Sequence, residues 1–170
     1  MTTELAAASI LDMRWHELTS VYVPADSPYA SSVPAPEGAE PAYLKVNGRK
    51  MPTGTSGELR VIDPVKFEEC MMKDAGLIDE IIPRYRTTYF NHIFKSGYNA
   101  GYYSYLWAEV LDKDAFELFM KKGIFDRKTA MSYLRNILEK GGSEDPMVLY
   151  RNFRGAAPDP DALLRARGLE

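Results

Sequence analysis

Chemistry concentrates in one stretch, Tyr85 to Trp107, YRTTYFNHIFKSGYNAGYYSYLW, which holds six tyrosines and one of the chain's two histidines, His92. A phenol stays protonated at neutral pH and donates a hydrogen bond, so several of them in a row can present donors along a cleft. The spacing predicts a helix over 98–111. Steps of roughly 100° per residue then put Tyr98, Tyr102, Tyr105 and Glu109 in one narrow sector, while Tyr103, Leu106, Trp107 and Val110 point elsewhere. Ser96-Gly97 permits a tight turn before that helix, and His92 lies six residues ahead of Tyr98 across it. The same spacing equally suits tyrosines that pack their rings into a core and send their hydroxyls to water or backbone. His92 and His16 are each compatible with a purely structural role.

Other chemistries are excluded. There is no H-E-x-x-H pair, no C-x-x-C and no Asp-rich calcium loop, so no metal motif is recognisable. A G-x-S-x-G elbow, a phosphate-binding Gly-rich loop and a dinucleotide fingerprint are also absent. Cys70 sits between Glu69 and Met71 on an expected helix, which does not suggest an activated nucleophile.

The elements that must position this stretch are mostly helices. From Glu4 to Leu18 the apolar residues Ala8, Leu11, Trp15 and Leu18 recur at spacings of three and four, the mark of an amphipathic helix. It starts almost at residue 1, as though inside a larger element. Between Thr19 and Ile62, Pro24, Pro28, Pro34, Pro36, Pro41 and Pro52 block any long helix and predict an irregular connection. Within it, Tyr43–Val46 and Arg49–Met51 flank Asn47-Gly48, a dipeptide suited to a type I′ hairpin turn. Beyond it, Asp63-Pro64, Asp145-Pro146 and Asp159-Pro160 read as helix starts, with an Asp cap and Pro at the first helical position. Asp126 predicts a further start, for a helix with the apolar stripe Met131, Leu134, Ile137 and Leu138, and Gly155 and Gly168 suit helix ends. The expected fold class is mainly α, a single helical body over 1–170 with an irregular insertion at 19–62 and a helical substrate-binding part at 63–170.

A net charge of -3, with Lys and Arg interspersed among acids, argues against nucleic acid as a partner. No run of ~18 apolar residues exists to span a bilayer, and the N-terminus lacks the regions of a secretory signal. No membrane partner is therefore expected. One cysteine excludes an internal disulfide and fits a reducing compartment, so a cytoplasmic location is expected, although a periplasmic one is compatible too.

The run YFNHIFKSGYNAGYYSYLWAEVLDKDAF, from Tyr89 to Phe116, resembles the segment that follows the zinc site in the thimet oligopeptidase, neurolysin and bacterial peptidyl-dipeptidase family. The likeness extends upstream to PRYRTTYF, to ELAAASILDMRWHEL at Glu4 to Leu18, and to GGSEDPMVLYRNFRGAAPDPDALLRARGL at Gly141 to Leu169. Ser20 to about Ile62 departs from it, and Lys95-Ser96-Gly97 stands where relatives often carry successive glycines. The resemblance implies a zinc metallopeptidase of short peptides, a peptidyl-dipeptidase or oligopeptidase that releases dipeptides from their C-termini, whose metal ligands, the H-E-x-x-H histidines and a later Glu, lie before the point where this chain begins. This chain is then expected to bind no zinc and to be inactive alone. It implies Tyr105 as the phenol at the oxyanion, His92 as a catalytic-site group facing the peptide, and Tyr98 with Tyr102 as substrate-binding. The expected partners are an oligopeptide substrate and the rest of the peptidase chain. The alternative is a non-catalytic helical module that binds peptides or proteins without cleaving them.

Overall fold

The computed structural model describes residues 2–46 and 49–169, in two compact units, Met1–Ser104 and Tyr105–Glu170. In the first, α1 (Thr2–Glu17) buries Leu5, Ala8 and Leu11. That is the face expected from the spacing of its apolar residues. The chain then builds more β structure than its prolines suggest. Strands β1 (Tyr22–Pro24), β2 (Ala30–Pro34) and β5 (Leu59–Ile62) form an antiparallel sheet in the order β1-β5-β2, and β3 (Tyr43–Val46) pairs with β4 (Arg49–Pro52). The prolines are accommodated at strand ends, where no ladder amide is needed: Pro24 closes β1, Pro34 closes β2 and Pro52 closes β4. The paired strands flanking the expected hairpin turn are present, while Asn47-Gly48 itself lies outside the described residues.

Asp63 caps α2 (Pro64–Asp74) by accepting from the amides of Val65 and Lys66. Phe67 of α2 is fully buried, with Trp15 at 4.3 Å and Tyr29 at 5.1 Å between ring centroids. These contacts join α1, the sheet region and α2 around one core. Glu68, also buried, accepts hydrogen bonds from Arg86 and from the Thr87 amide, and Trp15 donates to Thr87 Oγ1 at 3.0 Å. The segment that leads to α3 (Asn91–Lys95) is thereby tied to both α1 and α2.

The second unit holds α4 (Ser104–Lys122, of which Ser104 belongs to the first unit), α5 (Arg127–Tyr133), α6 (Pro146–Arg154) and α7 (Asp161–Ala166). Asp126 and Asp145 cap α5 and α6 with their carboxylates, and Asp159 accepts from the Asp161 amide at the start of α7. The stripe predicted after Asp126 is helical but not uniformly α: α5 runs into a π turn at Leu134–Leu138. Gly155, at φ +80°, ends α6 in the left-handed conformation that glycine adopts at little cost. Phe119, Tyr133 and Phe153 pack ring against ring in the core of this unit. Among the described residues no helix is long and apolar enough to cross a membrane.

Candidate functional site

The rings of His92 and Tyr98 come together in the first unit, their centroids 6.1 Å apart. Gly97, at φ +80°, turns the chain back after α3 and so allows this approach. Behind them lies an aromatic floor. Tyr85 stacks on Phe90 at 5.2 Å, and Tyr102 stands edge-on to Phe90 at 4.9 Å and to His92 at 5.8 Å. Phe90 and Tyr102 are buried, whereas Tyr98 is exposed and His92 half-buried. Burial, with a smaller contribution from Tyr85, pushes the Tyr102 phenol above its usual value, so it stays protonated and able to donate.

The helix expected over 98–111 is not formed at its N-terminal end: α4 starts only at Ser104, and residues 99–103 are turns. The cause is long-range. Ala100 takes a positive φ of 53°, which costs a residue with a Cβ roughly 1–2 kcal/mol and cannot continue a right-handed helix. The fully buried carboxylate of Asp12 on α1 accepts from the amides of Ala100 at 3.0 Å and Tyr102 at 2.9 Å, and so holds the chain in that turn. Tyr98 and Tyr102 therefore share an aromatic cluster rather than one helical face. Asp12 escapes a reading by motif, yet a carboxylate four residues after Ala8 falls on the apolar face of α1, and that misplaced charge is the signal that marks it. Its Oδ1 also lies 2.9 Å from His16 Nδ1, which gives His16 a structural partner.

Tyr105 stands in the first turn of α4, as the first residue of the second unit. Three acidic groups of that unit, Asp114, Glu117 and Asp159, bring carboxylate oxygens within 4.8 Å of one another. Arginines already compensate them. Arg154 reaches Asp114 at 2.9 Å, and Arg165 reaches Glu117 at 2.7 Å and Asp159 at 2.6 Å. An all-carboxylate set paired with guanidinium groups does not suit zinc, which prefers nitrogen and sulfur donors. The Cys70 thiol is pushed up by burial and then by the charges of Asp74 and Glu69, the reverse of nucleophile activation. A groove of about 540 Å³ in the second unit is lined by apolar side chains, among them Trp107, Leu111, Phe119 and Met147.

The sequence of residues 60–169 matches the family model for Peptidase family M3. Oligopeptidase A of Escherichia coli (strain K12) is 57% identical over 81 residues, covering 48% of this chain and 12% of that protein. Dipeptidyl carboxypeptidase of the same organism is 33% identical over 167 residues, 98% of this chain and 19% of that protein. Saccharolysin of Saccharomyces cerevisiae is 37% identical over 81 residues, 48% of this chain and 11% of that protein. The chain thus spans less than a fifth of the length of these relatives.

Proposed function

The chain belongs to Peptidase family M3, and from that premise we propose that it is the substrate-binding part of a zinc metallopeptidase that hydrolyses short peptides. The observation that carries this reading is the His92–Tyr98 pair, an exposed phenol beside a half-buried imidazole on a floor made by Tyr85, Phe90 and Tyr102. Phenol and imidazole can both donate to peptide carbonyls, and the aromatic floor beneath them fixes where the two rings stand. His92 and Tyr98 contact the main chain of the peptide, and Tyr102 takes part from beneath, as the protonated floor of the same subsite.

Tyr105 donates a hydrogen bond from its phenol to the oxyanion that forms when the scissile carbonyl is attacked. A donor placed where charge develops stabilises the transition state more than the bound substrate, and so acts on the rate. Zinc supplies the activated water in such a peptidase. Among the described residues, the one carboxylate cluster, Asp114, Glu117 and Asp159, is held by arginines and does not suit that ion, and His16 Nδ1 is held by Asp12. The metal ligands on this reading belong to the rest of the peptidase chain, the one protein partner the reading needs, and the cytoplasm is its location, in keeping with the single thiol Cys70.

Product analysis tests this function. The complete peptidase carrying this chain should cleave oligopeptides of about ten residues and leave a folded protein intact, as read by mass spectrometry. Binding of those peptides without any cleavage would favour the non-catalytic module instead.

A further inference from the structure

We infer that Asp12 is a positioning residue for the peptide-binding turn, acting through the main chain of residues 98–102 on the phenol of Tyr98. The inference rests on the reading that Tyr98 contacts substrate. Asp12 belongs to α1, 88 residues from Ala100 and 90 from Tyr102, and its carboxylate is wholly buried. Its two oxygens bind different amides, with Oδ1 accepting from Ala100 and Oδ2 from Tyr102. Two amides two residues apart can aim at one carboxylate only if the chain between them curls back, and Ala100 does so at φ 53°. Two further bonds close the loop, from the Gly101 amide to Tyr98 O at 2.8 Å and from the Ser104 amide to Gly101 O at 3.0 Å.

The turn therefore has its outer end at Tyr98, exposed beside His92, and its inner end at Tyr102, buried against Phe90. A carboxylate is required because it offers an acceptor to each amide and no donor. An asparagine keeps the shape but faces one of the two amides with its own N–H, so one end of the turn is released. His16 Nδ1, at 2.9 Å, approaches the carboxylate from its own helix, one turn along α1.

The experiment is a double-mutant cycle in the complete peptidase carrying this chain, assayed with an internally quenched oligopeptide. Asp12→Asn is made alone and in the Tyr98→Phe background, with far-ultraviolet circular dichroism to establish folding. If the turn is positioned by Asp12, the single substitution lowers kcat/KM about 10-fold to 100-fold, the range for a lost bond to a charged group. In the Tyr98→Phe background it lowers it little further, because the group being positioned is already gone. His16→Ala, which leaves both amide bonds in place, stays within about threefold of wild type.

An equal factor in both backgrounds, or no loss at all, overturns the inference and leaves the substrate role of Tyr98 standing. If Tyr98→Phe is itself without effect, the substrate role fails and the inference falls with it. Should Asp12→Asn not fold, Asp12→Glu keeps the charge and displaces the acceptors by one methylene, with the same expected non-additivity.

Discussion

Arg154, near the end of α6, holds Asp114 of α4 through its Nε at 3.1 Å and its Nη2 at 2.9 Å, while the other carboxylate oxygen accepts from the Tyr150 phenol at 2.7 Å. Asp114 is fully buried and Tyr150 nearly so. Burial, and then the bond to Asp114, raise the Tyr150 phenol well above its usual value, which keeps it a donor over the physiological range. Removing one member leaves a buried charge without its compensation. Arg154→Ala and Asp114→Ala should each destabilise the second unit by about 3–5 kcal/mol, whereas Tyr150→Phe should cost only about 1.5–3 kcal/mol. Chemical denaturation followed by circular dichroism reads these differences, and an Arg154→Ala chain as stable as wild type would contradict the compensation of Asp114 by Arg154.

The acid limb of stability has one defined origin in each unit, Asp26 in the first and Glu117 in the second. Asp26 binds the hydroxyl and amide of Thr55 and the amide of Ser56, and these bonds lower its pKa from 3.8 to about 2. A carboxyl that is more acidic folded than unfolded stabilises the fold above its unfolded pKa, and that contribution is lost as pH falls through the folded value. Glu117, lowered first by its bond to Arg165, has the same sign. In denaturation at a series of pH values, Asp26→Asn should be less stable than wild type at pH 6, and the gap should narrow between about pH 4 and pH 2. A gap that stays constant down to pH 2 contradicts the assignment to the ionised carboxylate.

Helix starts offer a separate check. Asp63 and Asp145 each accept from two amides of the first turn, so Asp63→Ala and Asp145→Ala should each cost about 1 kcal/mol, and replacement by Ser should recover most of it. Thermal melts of the four variants decide this, and full stability after alanine substitution would mean that tertiary packing alone fixes these ends.

These starts were legible in the sequence because capping is local: an Asp followed by Pro needs nothing distant to begin a helix. The apolar face of α1 was legible for the same reason, through Ala8 and Leu11. What could not be read was set by distant groups. Nothing within Tyr98–Leu111 reveals that Ala100 takes a positive φ, since the carboxylate that holds it comes from Asp12 on another helix. The sheet β1-β5-β2 was hidden too, because its strands are three to five residues long and its central member arrives more than thirty residues after the first. The aromatic cluster was visible as composition, through the density of tyrosines, but its arrangement around Phe90 depends on that same unreadable turn.

The proposed chemistry turns on the hydroxyl of Tyr105, and the measurement that reaches it is steady-state kinetics of Tyr105→Phe in the complete, zinc-loaded peptidase. The ring and its packing remain, so folding should change little. Loss of one donor at a developing oxyanion should lower kcat by about 100-fold to 1,000-fold, or ~2.7 to 4 kcal/mol, with KM moving far less. Tyr103→Phe is the control, because Tyr103 is exposed ahead of α4 and its hydroxyl has no part in the proposed reaction. A large fall in kcat for Tyr105→Phe beside a near-normal Tyr103→Phe is the predicted result; equal losses in both, or normal turnover without the Tyr105 hydroxyl, would contradict it.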